Sequence, residues 1–414
     1  MLHKAMLKKR LVIFSLLVLS ACSNIPDEPA YKTSNSSLPM GQTTFAAYTS
    51  STRQWLKQNR WFLSTDVEAE LDANSPFELM PQLPLSQRHG ILLVHGLSDS
   101  PYSFVDVAPL LAKMGFHVRT LLLEGHGSRP ADLINADHRH WQQLLREQVA
   151  IFKQHVDKLY LGGFSTGANL VTHYALDDPQ IQGLVLFSPG FKAKTKYAKY
   201  APVYSWFKDW LYTPSLKRQT NYVRYYHAPS NGFAQYYHTS QELLERLEEQ
   251  TFDRPVFIAV SENDSVLDVK RTLALFENKL THPANRLIWF GNRPDSKDAR
   301  VTVLAGKVPA MKVSNFSHMG VLFDAQNPYY GIEGAQRICN NGQTNPHYRD
   351  CVNRKEVWYS AWGHTEADKA HARLTFNPWF KEMGEIIRSV VFGEEQSVAG
   401  GQSITDGVGT LHED

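Results

Sequence analysis

Apolar residues in this chain gather in short continuous runs, separated by stretches where they recur every third or fourth position. The runs are I-L-L-V at 91–94, Leu159 to Leu161, G-L-V-L-F at 183–187 and P-V-F-I-A-V at 255–260, and His117 to Leu123, more polar at its start, reads as a strand beside them. Runs this short, with no polar alternation, predict strands buried on both faces. Between them lie Phe104, Val107, Leu110 and Leu111; a stretch from about Trp141 to His155; Ala168, Val171, Ala175 and Leu176; and Val266 to about Lys279, each with the spacing of one helix face. Strand and helix alternating in this way predict an α/β fold, a mostly parallel sheet with helices on both faces. Further on, Leu287–Phe290 and Val301–Leu304 suggest an added hairpin, Met311–Val313 a last strand and Asn377–Phe392 a closing helix.

The rhythm sets the domain plan. The core occupies 87–190 and 251–325. Residues 45–86 read as an N-terminal helical extension, with one or two helices from Phe45 to Leu71 and a proline-punctuated connector over 76–86. Residues 191–250 interrupt the core and read as a cap, crowded with tyrosine, tryptophan and phenylalanine and closed by a charged helix at Glu242–Gln250. Most of these rings are expected to pack the cap onto the core. Eight cations against Asp209 between Lys192 and Arg224 mark either a solvated face or a mouth held against anionic head groups. Residues 326–394 form a C-terminal extension, 395–414 a disordered tail, and 22–44, rich in Ser, Pro, Asn and Thr, a tether.

The first residues are different in kind. Lys4, Lys8, Lys9 and Arg10 precede the apolar run Leu11–Leu19 and then L-S-A-C at 19–22. About ten apolar residues rise about 15 Å as a helix, half of a bilayer core of about 30 Å, so 1–21 read as a secretory signal peptide. L-S-A-C resembles the lipobox of bacterial lipoproteins. That resemblance implies cleavage before Cys22, a lipid on its sulfur and a place in the bacterial envelope. Ser23, where inner-membrane retention would use Asp, points to the outer membrane. The formal net charge of +2 belongs to this leader; without its four cations the chain carries −2, which excludes a nucleic-acid partner.

Two cysteines remain, Cys339 and Cys351. In an exported protein such a pair reads as a disulfide, contributing about 3 kcal/mol for so small a loop. Zinc held by these thiols with His347 lacks a fourth ligand, and neither a metal nor an organic cofactor is expected.

The chemistry centres on Lys158–Tyr174, where an apolar run leads into G-F-S-T-G and then into helical spacing. A serine at the apex of a strand–turn–helix is presented as a nucleophile, provided that glycines such as Gly163 and Gly167 let strand and helix approach. The hydroxyl needs an imidazole to take its proton and a carboxylate to orient that imidazole. On such a sheet these follow in the order acid, then histidine, on loops after strand ends. Asp264 and His318 occupy such loops. Asp268 is the second choice of acid and Glu262 a further competitor; His364 is the alternative base. Backbone N–H groups of Leu97 and Thr166 are placed to hold the oxyanion, and His95 braces the loop before Leu97.

Taken together, I-L-L-V-H-G-L, L-E-G-H-G, G-F-S-T-G, F-S-P-G, S-E-N-D and N-F-S-H-M-G resemble the α/β-hydrolase superfamily, and within it the monoacylglycerol lipase and small carboxylesterase branch. The resemblance covers about 87–325. It implies Ser165 as nucleophile, Asp264 as acid, His318 as base, and Leu97 and Thr166 as the oxyanion hole. It departs from the branch at Thr166, where Met is commoner, and in the long interval between Asp264 and His318, which requires an insertion. The expected partner is a small hydrophobic ester such as an acylglycerol or a lysophospholipid, met at a membrane reached through the lipid on Cys22. Thioester cleavage, acyl transfer and release of small peptides use the same residues. A membrane-tethered binding or scaffolding protein that keeps the fold without the chemistry is the reading of a different class.

Overall fold

The buried apolar runs line up, in a computed structural model of the chain, as the middle of one eight-stranded sheet. The structure describes residues 25–83, 85–215, 219–353 and 356–393. Strands β1 (Glu78–Leu79), β2 (His89–Val94), β3 (Phe116–Leu121), β4 (Lys158–Phe164), β5 (Ile181–Phe187), β6 (Val256–Ser261), β7 (Arg286–Phe290) and β8 (Val301–Leu304) lie in the order β1-β3-β2-β4-β5-β6-β7-β8. All pairs are parallel except β1 with β3. Side chains of β2 and β4 part by alternation: Leu92, Val94, Leu159 and Leu161 enter one apolar layer, while Ile91, Leu93, Tyr160 and Phe164 enter the other. That is the period-two geometry of a strand covered on both faces.

Helices α1 (Phe45–Asn59) and α2 (Val67–Asn74) precede the sheet, and α3 (Val107–Lys113), α4 (His138–Lys153) and α5 (Thr166–Asp177) link β2 through β5. The cap between β5 and β6 carries α6 (Ala201–Ser205) and α7 (Ser230–Glu249), so the expected charged helix is the last part of a longer one. Helix α8 (Val269–Lys279) joins β6 to β7.

Several expectations change. Leu287–Phe290 and Val301–Leu304 are no hairpin: they run parallel, with Leu287 opposite Val301, because the 291–300 segment carries the chain back along the sheet before β8 starts. This added strand fills the long interval before His318. Met311–Val313 is no strand; Pro309–Met311 is a 3₁₀ turn and Val313 makes single bridges to Val308 and Tyr359. The proline-punctuated connector contributes β1 as an edge. Residues 25–44 do not hang free as a tether. Ala30, Tyr31 and Leu38 are buried, Tyr31 sets its ring against Trp210 with centroids 5.5 Å apart, and Ser34 N donates to Asp132 Oδ1 at 2.6 Å. A few apolar anchors outweigh a polar composition here. The proposed signal peptide, Cys22 and the 395–414 tail lie outside the described residues.

Both extensions are part of the packing. In the N-terminal one, Arg60 and Glu70 form a buried ion pair at 2.7 Å, and Glu70 also accepts from Leu63 N and Ser64 N. Arg60 reaches on to the cap, donating to Tyr222 O at 2.6 Å. Such a pair holds its place because its remaining donors and acceptors are met. The C-terminal extension follows the short β9 (Phe323–Asp324) with α9 (Asn345–Val352), β10 (Val357–Ser360), β11 (Ala370–Arg373), β12 (Phe376–Asn377) and α10 (Phe380–Phe392). Strands β10 and β11 pair in parallel, as do β12 and β9. Tyr359, Phe376, Met383 and Ile387 join the same apolar layer as Phe104 and Phe257. Cys339 and Cys351 are joined as a disulfide. Among the described residues no helix is long and apolar enough to cross a membrane.

Candidate active site

Strand order reverses between β3-β2 and β4-β5, and in open parallel sheets the crevice beyond the strands' carboxyl ends at such a point is where ligands bind. The loop after β2 carries Gly96 and Leu97; the turn after β4 carries Ser165. A Cβ placed on Gly96 would stand 3.2 Å from that of Ser165, so the two meet at the crevice.

Ser165 is buried, with φ 52 and ψ −114, immediately before α5. Its strained backbone is fixed from three sides: its N–H donates to Phe187 O at 3.1 Å, and its carbonyl accepts from Ala168 N at 3.1 Å and Gly190 N at 2.9 Å. The close approach depends on Gly167. A Cβ there would lie 1.9 Å from Val94 O and 2.6 Å from His95 O, both backbone atoms that cannot swing aside. Gly167→Ala is therefore expected to destabilise the fold by about 3 kcal/mol or more, read by denaturant unfolding; a variant as stable as the parent would show that the elbow yields freely.

Asp264 follows β6 and is fully buried. Its Oδ1 accepts from Val266 N at 2.7 Å and Leu267 N at 3.0 Å, which leaves Oδ2 facing His318 Nδ1 at 2.7 Å. The two residues are 54 positions apart in the chain, and the loop after β8 brings them together. His318 is held in turn: its carbonyl accepts from Ser188 Oγ at 2.8 Å, and its ring lies 5.0 Å from that of Phe164, the neighbour of Ser165. A carboxylate on Nδ1 fixes the tautomer with Nε2 free to act as a base.

The competitors have other employment. Asp268 caps α8, accepting from Arg271 N at 3.1 Å, and pairs with Lys192 at 3.0 Å. Glu262 accepts from Asn292 N and Nδ2 at 2.9 and 3.1 Å. His364 stands beside His371, ring centroids 5.2 Å apart, in the C-terminal extension.

The other half of the site is the β2 loop. Leu123 N donates to His95 Nε2 at 3.1 Å, so the ring proton sits on Nδ1 and is donated to Gly96 O at 2.8 Å. Burial, with His126 alongside, holds the His95 imidazole well below its ordinary pKa, and burial takes His126 down to about 4. Both rings are neutral supports for the loop. Ser98, at φ 67, accepts at its carbonyl from Tyr225 N at 2.7 Å, tying cap to loop. Thr166 opens α5 and is buried, its Oγ1 without a hydrogen-bond partner. Its backbone N–H lies where the helix dipole favours negative charge.

Residues 86–290 match the family model described as serine aminopeptidase, S33. A thermostable monoacylglycerol lipase from Bacillus sp. (strain H-257) is 32% identical over 96 residues, 23% of this chain. The match spans only 38% of that lipase's own length. Among solved structures, one described under two metagenome-derived lipolytic enzymes, LipS and LipT, aligns at 21% identity and TM-score 0.46, covering 53% of this chain and 88% of that one. A soluble variant of the Saccharomyces cerevisiae monoglyceride lipase aligns at 15% and 0.43, covering 55% and 85%.

The fold is that of an α/β-hydrolase.

Two groups at this site escaped the reading of the sequence. Asp99, in the β2 loop, is buried; burial pushes its carboxyl up, opposed by Arg224 and His318 nearby. Arg224, from the cap, reaches Asp99 at 3.5 Å and Met319 Sδ at 3.0 Å, beside the histidine. No local motif signals such a cross-link between cap, loop and histidine. Only the general excess of cations over 192–224 hinted at it.

Proposed function

We propose that the protein is a serine hydrolase of carboxylic esters. The observation that supports this best is the 2.7 Å contact of His318 Nδ1 with a buried Asp264 whose other oxygen is already engaged, on the rim of the crevice where Ser165 is held at positive φ. In the proposed reaction His318 Nε2 takes the Ser165 proton as Oγ attacks the ester carbonyl. The N–H groups of Leu97 and Thr166 hold the resulting oxyanion, each contributing about 3 kcal/mol to lowering the barrier. The imidazolium then protonates the leaving alcohol, and water releases the acid by the same steps in reverse order.

The proposed substrate is a hydrophobic ester of the acylglycerol kind, in keeping with the lipases to which the chain is similar. The cap supports this from its outer side. Most cap rings are buried or half-buried, as expected, but Trp206, Phe207 and Tyr212 are each 81% exposed, and Tyr197 and Tyr200 are also largely in solvent beside Lys196 and Lys199. Aromatic rings with flanking cations suit a lipid–water boundary. Anchoring through a lipid on Cys22 in the outer membrane belongs to the same proposal.

One observation favours an ester that also bears an anion, as a lysophospholipid does. A cavity of about 580 Å³ between cap and C-terminal extension is lined by Arg224, Arg337 and Arg373. Its walls include neither Ser165 nor His318. Burial, and next Arg224 beside it, push the Arg373 guanidinium down to about 10.

A fluorophosphonate probe is expected to label the purified protein at one serine, and peptide mapping is expected to place the adduct on Ser165. No labelling would leave the binding or scaffolding reading in its place. Offering the same preparation a monoacylglycerol and a lysophosphatidic acid of equal chain length separates the neutral from the anionic substrate.

A further inference from the structure

The stretch W-G-H-T-E-A-D-K-A-H at 362–371 joins β10 to β11, and nothing in the proposed hydrolytic mechanism uses its histidines. A bridge between Glu366 and Lys369 turns the chain back on itself, so that His371, the second residue of β11, returns beside His364. One ligand atom from each of His364, Glu366 and His371 then lies within 4.8 Å of the other two. Glu366 Oε2 stands 3.2 Å from His371 Nε2 and 3.6 Å from His364 Nε2. We propose that these three side chains form a binding site for a divalent transition metal of the zinc class, which braces the C-terminal extension against the loop carrying His318.

Three features carry the proposal. His371 is fully buried, yet neither of its ring nitrogens has a hydrogen-bond partner, and His364 Nε2 is also buried and unpartnered. Buried polar atoms are nearly always satisfied, so the orphaned Nε2 atoms of His364 and His371, both facing Glu366 Oε2, call for a common partner. A proton shared between His371 and Glu366 would serve one nitrogen and leave His364 Nε2 without a partner. A metal ion satisfies His364 Nε2, His371 Nε2 and Glu366 Oε2 at once.

The spacing also fits. Zinc bonds to imidazole nitrogen and carboxylate oxygen are about 2.0–2.2 Å, which puts neighbouring donors of a tetrahedral shell about 3.4 Å apart. The 3.2 and 3.6 Å separations need little adjustment. Two imidazoles and one carboxylate are a ligand set of the borderline transition ions, not of calcium or magnesium. They leave a fourth position for water, on the side where His364 remains one-third exposed.

The carboxylate is pre-set for the task. Lys369 Nζ holds its Oε1 at 2.8 Å, and Ser314 Oγ donates to Oε2 at 2.6 Å. Such outer contacts orient a ligand and tune its affinity. Ser314 also shows what a bound ion would brace. Its N–H donates to Tyr359 O at 2.9 Å, and Asn315 Oδ1 accepts from Ala361 N at 2.7 Å, three positions before His318. The trio Cys339, Cys351 and His347, which the sequence already marks as a poor zinc set, holds a disulfide instead. The cluster that fits an ion lies at the next turn of the same extension.

The test uses the full chain, stripped with EDTA and titrated with Zn²⁺ alone by calorimetry. One equivalent is expected to bind per chain at micromolar or lower concentration and to raise the melting temperature. His364→Ala, at the exposed corner, and Glu366→Gln each remove a direct ligand and are expected to weaken binding by about 100-fold or more, beyond the loss typical of an outer contact, and to abolish the thermal shift. Co²⁺ is expected to give visible absorption bands of nitrogen and oxygen coordination in the parent protein, a result independent of whether a variant folds. Absence of a stoichiometric site in the parent overturns the proposal. So does zinc affinity unchanged in both variants, which would place the ion on other histidines.

Discussion

Ser165→Ala should lower ester turnover by roughly 10⁴- to 10⁶-fold and remove fluorophosphonate labelling, while thermal unfolding stays close to that of the parent. The size of the activity loss follows from removing the atom that attacks. Binding and the oxyanion donors survive, and they alone leave a residual rate above water. The unchanged stability follows from the backbone. Ser165 holds φ 52 through its own N–H and carbonyl, bonded to Phe187, Ala168 and Gly190, and alanine carries the same Cβ into that conformation. Turnover that persists in this variant would show that another group carries the reaction, and would end the proposal.

Asp264→Asn should lower kcat by about 10⁴-fold with little effect on folding. The asparagine carbonyl can keep the two backbone N–H bonds from Val266 and Leu267, so the loop after β6 retains its shape. Its amide nitrogen then faces His318 Nδ1, where the parent has an acceptor. A donor there drives the imidazole to the tautomer with its proton on Nε2, which cannot accept from serine. A loss smaller than tenfold would mean that the carboxylate does not orient the base. Asp268→Asn is the matched control, since its work is at the head of α8.

Much of this was readable from the chain because the core obeys strong local rules. Buried parallel strands must be short unbroken apolar runs, and I-L-L-V, G-L-V-L-F and P-V-F-I-A-V are that. An elbow serine needs a glycine two places before and two after, and Gly163 and Gly167 stand there. The disulfide between Cys339 and Cys351 followed from counting cysteines in a chain whose first residues read as an export signal.

What was missed depends on partners distant in sequence. Whether Leu287–Phe290 and Val301–Leu304 run parallel is decided by the path of 291–300, not by their own residues. The polar segment at 25–44 looked loose because the surface that receives Tyr31 comes from Trp210, far along the chain. Arg224 with Asp99, and Glu366 with His364 and His371, are constellations without a linear signature. In each, the geometry of a turn or a cap supplies the proximity.

The family model stops at residue 290, short of the imidazole that the proposed chemistry requires. That imidazole hangs on a run whose backbone is moored to later parts of the chain: Val313 bridges Tyr359, and Ser317 Oγ donates to Leu374 O at 2.5 Å. A fragment trimmed to the recognisable portion would keep the proposed nucleophile and acid but lose the proposed base together with its anchorage. Here the stretch that kinship picks out is smaller than the stretch that must fold for anything to react, and engineering by truncation would have to respect the larger one.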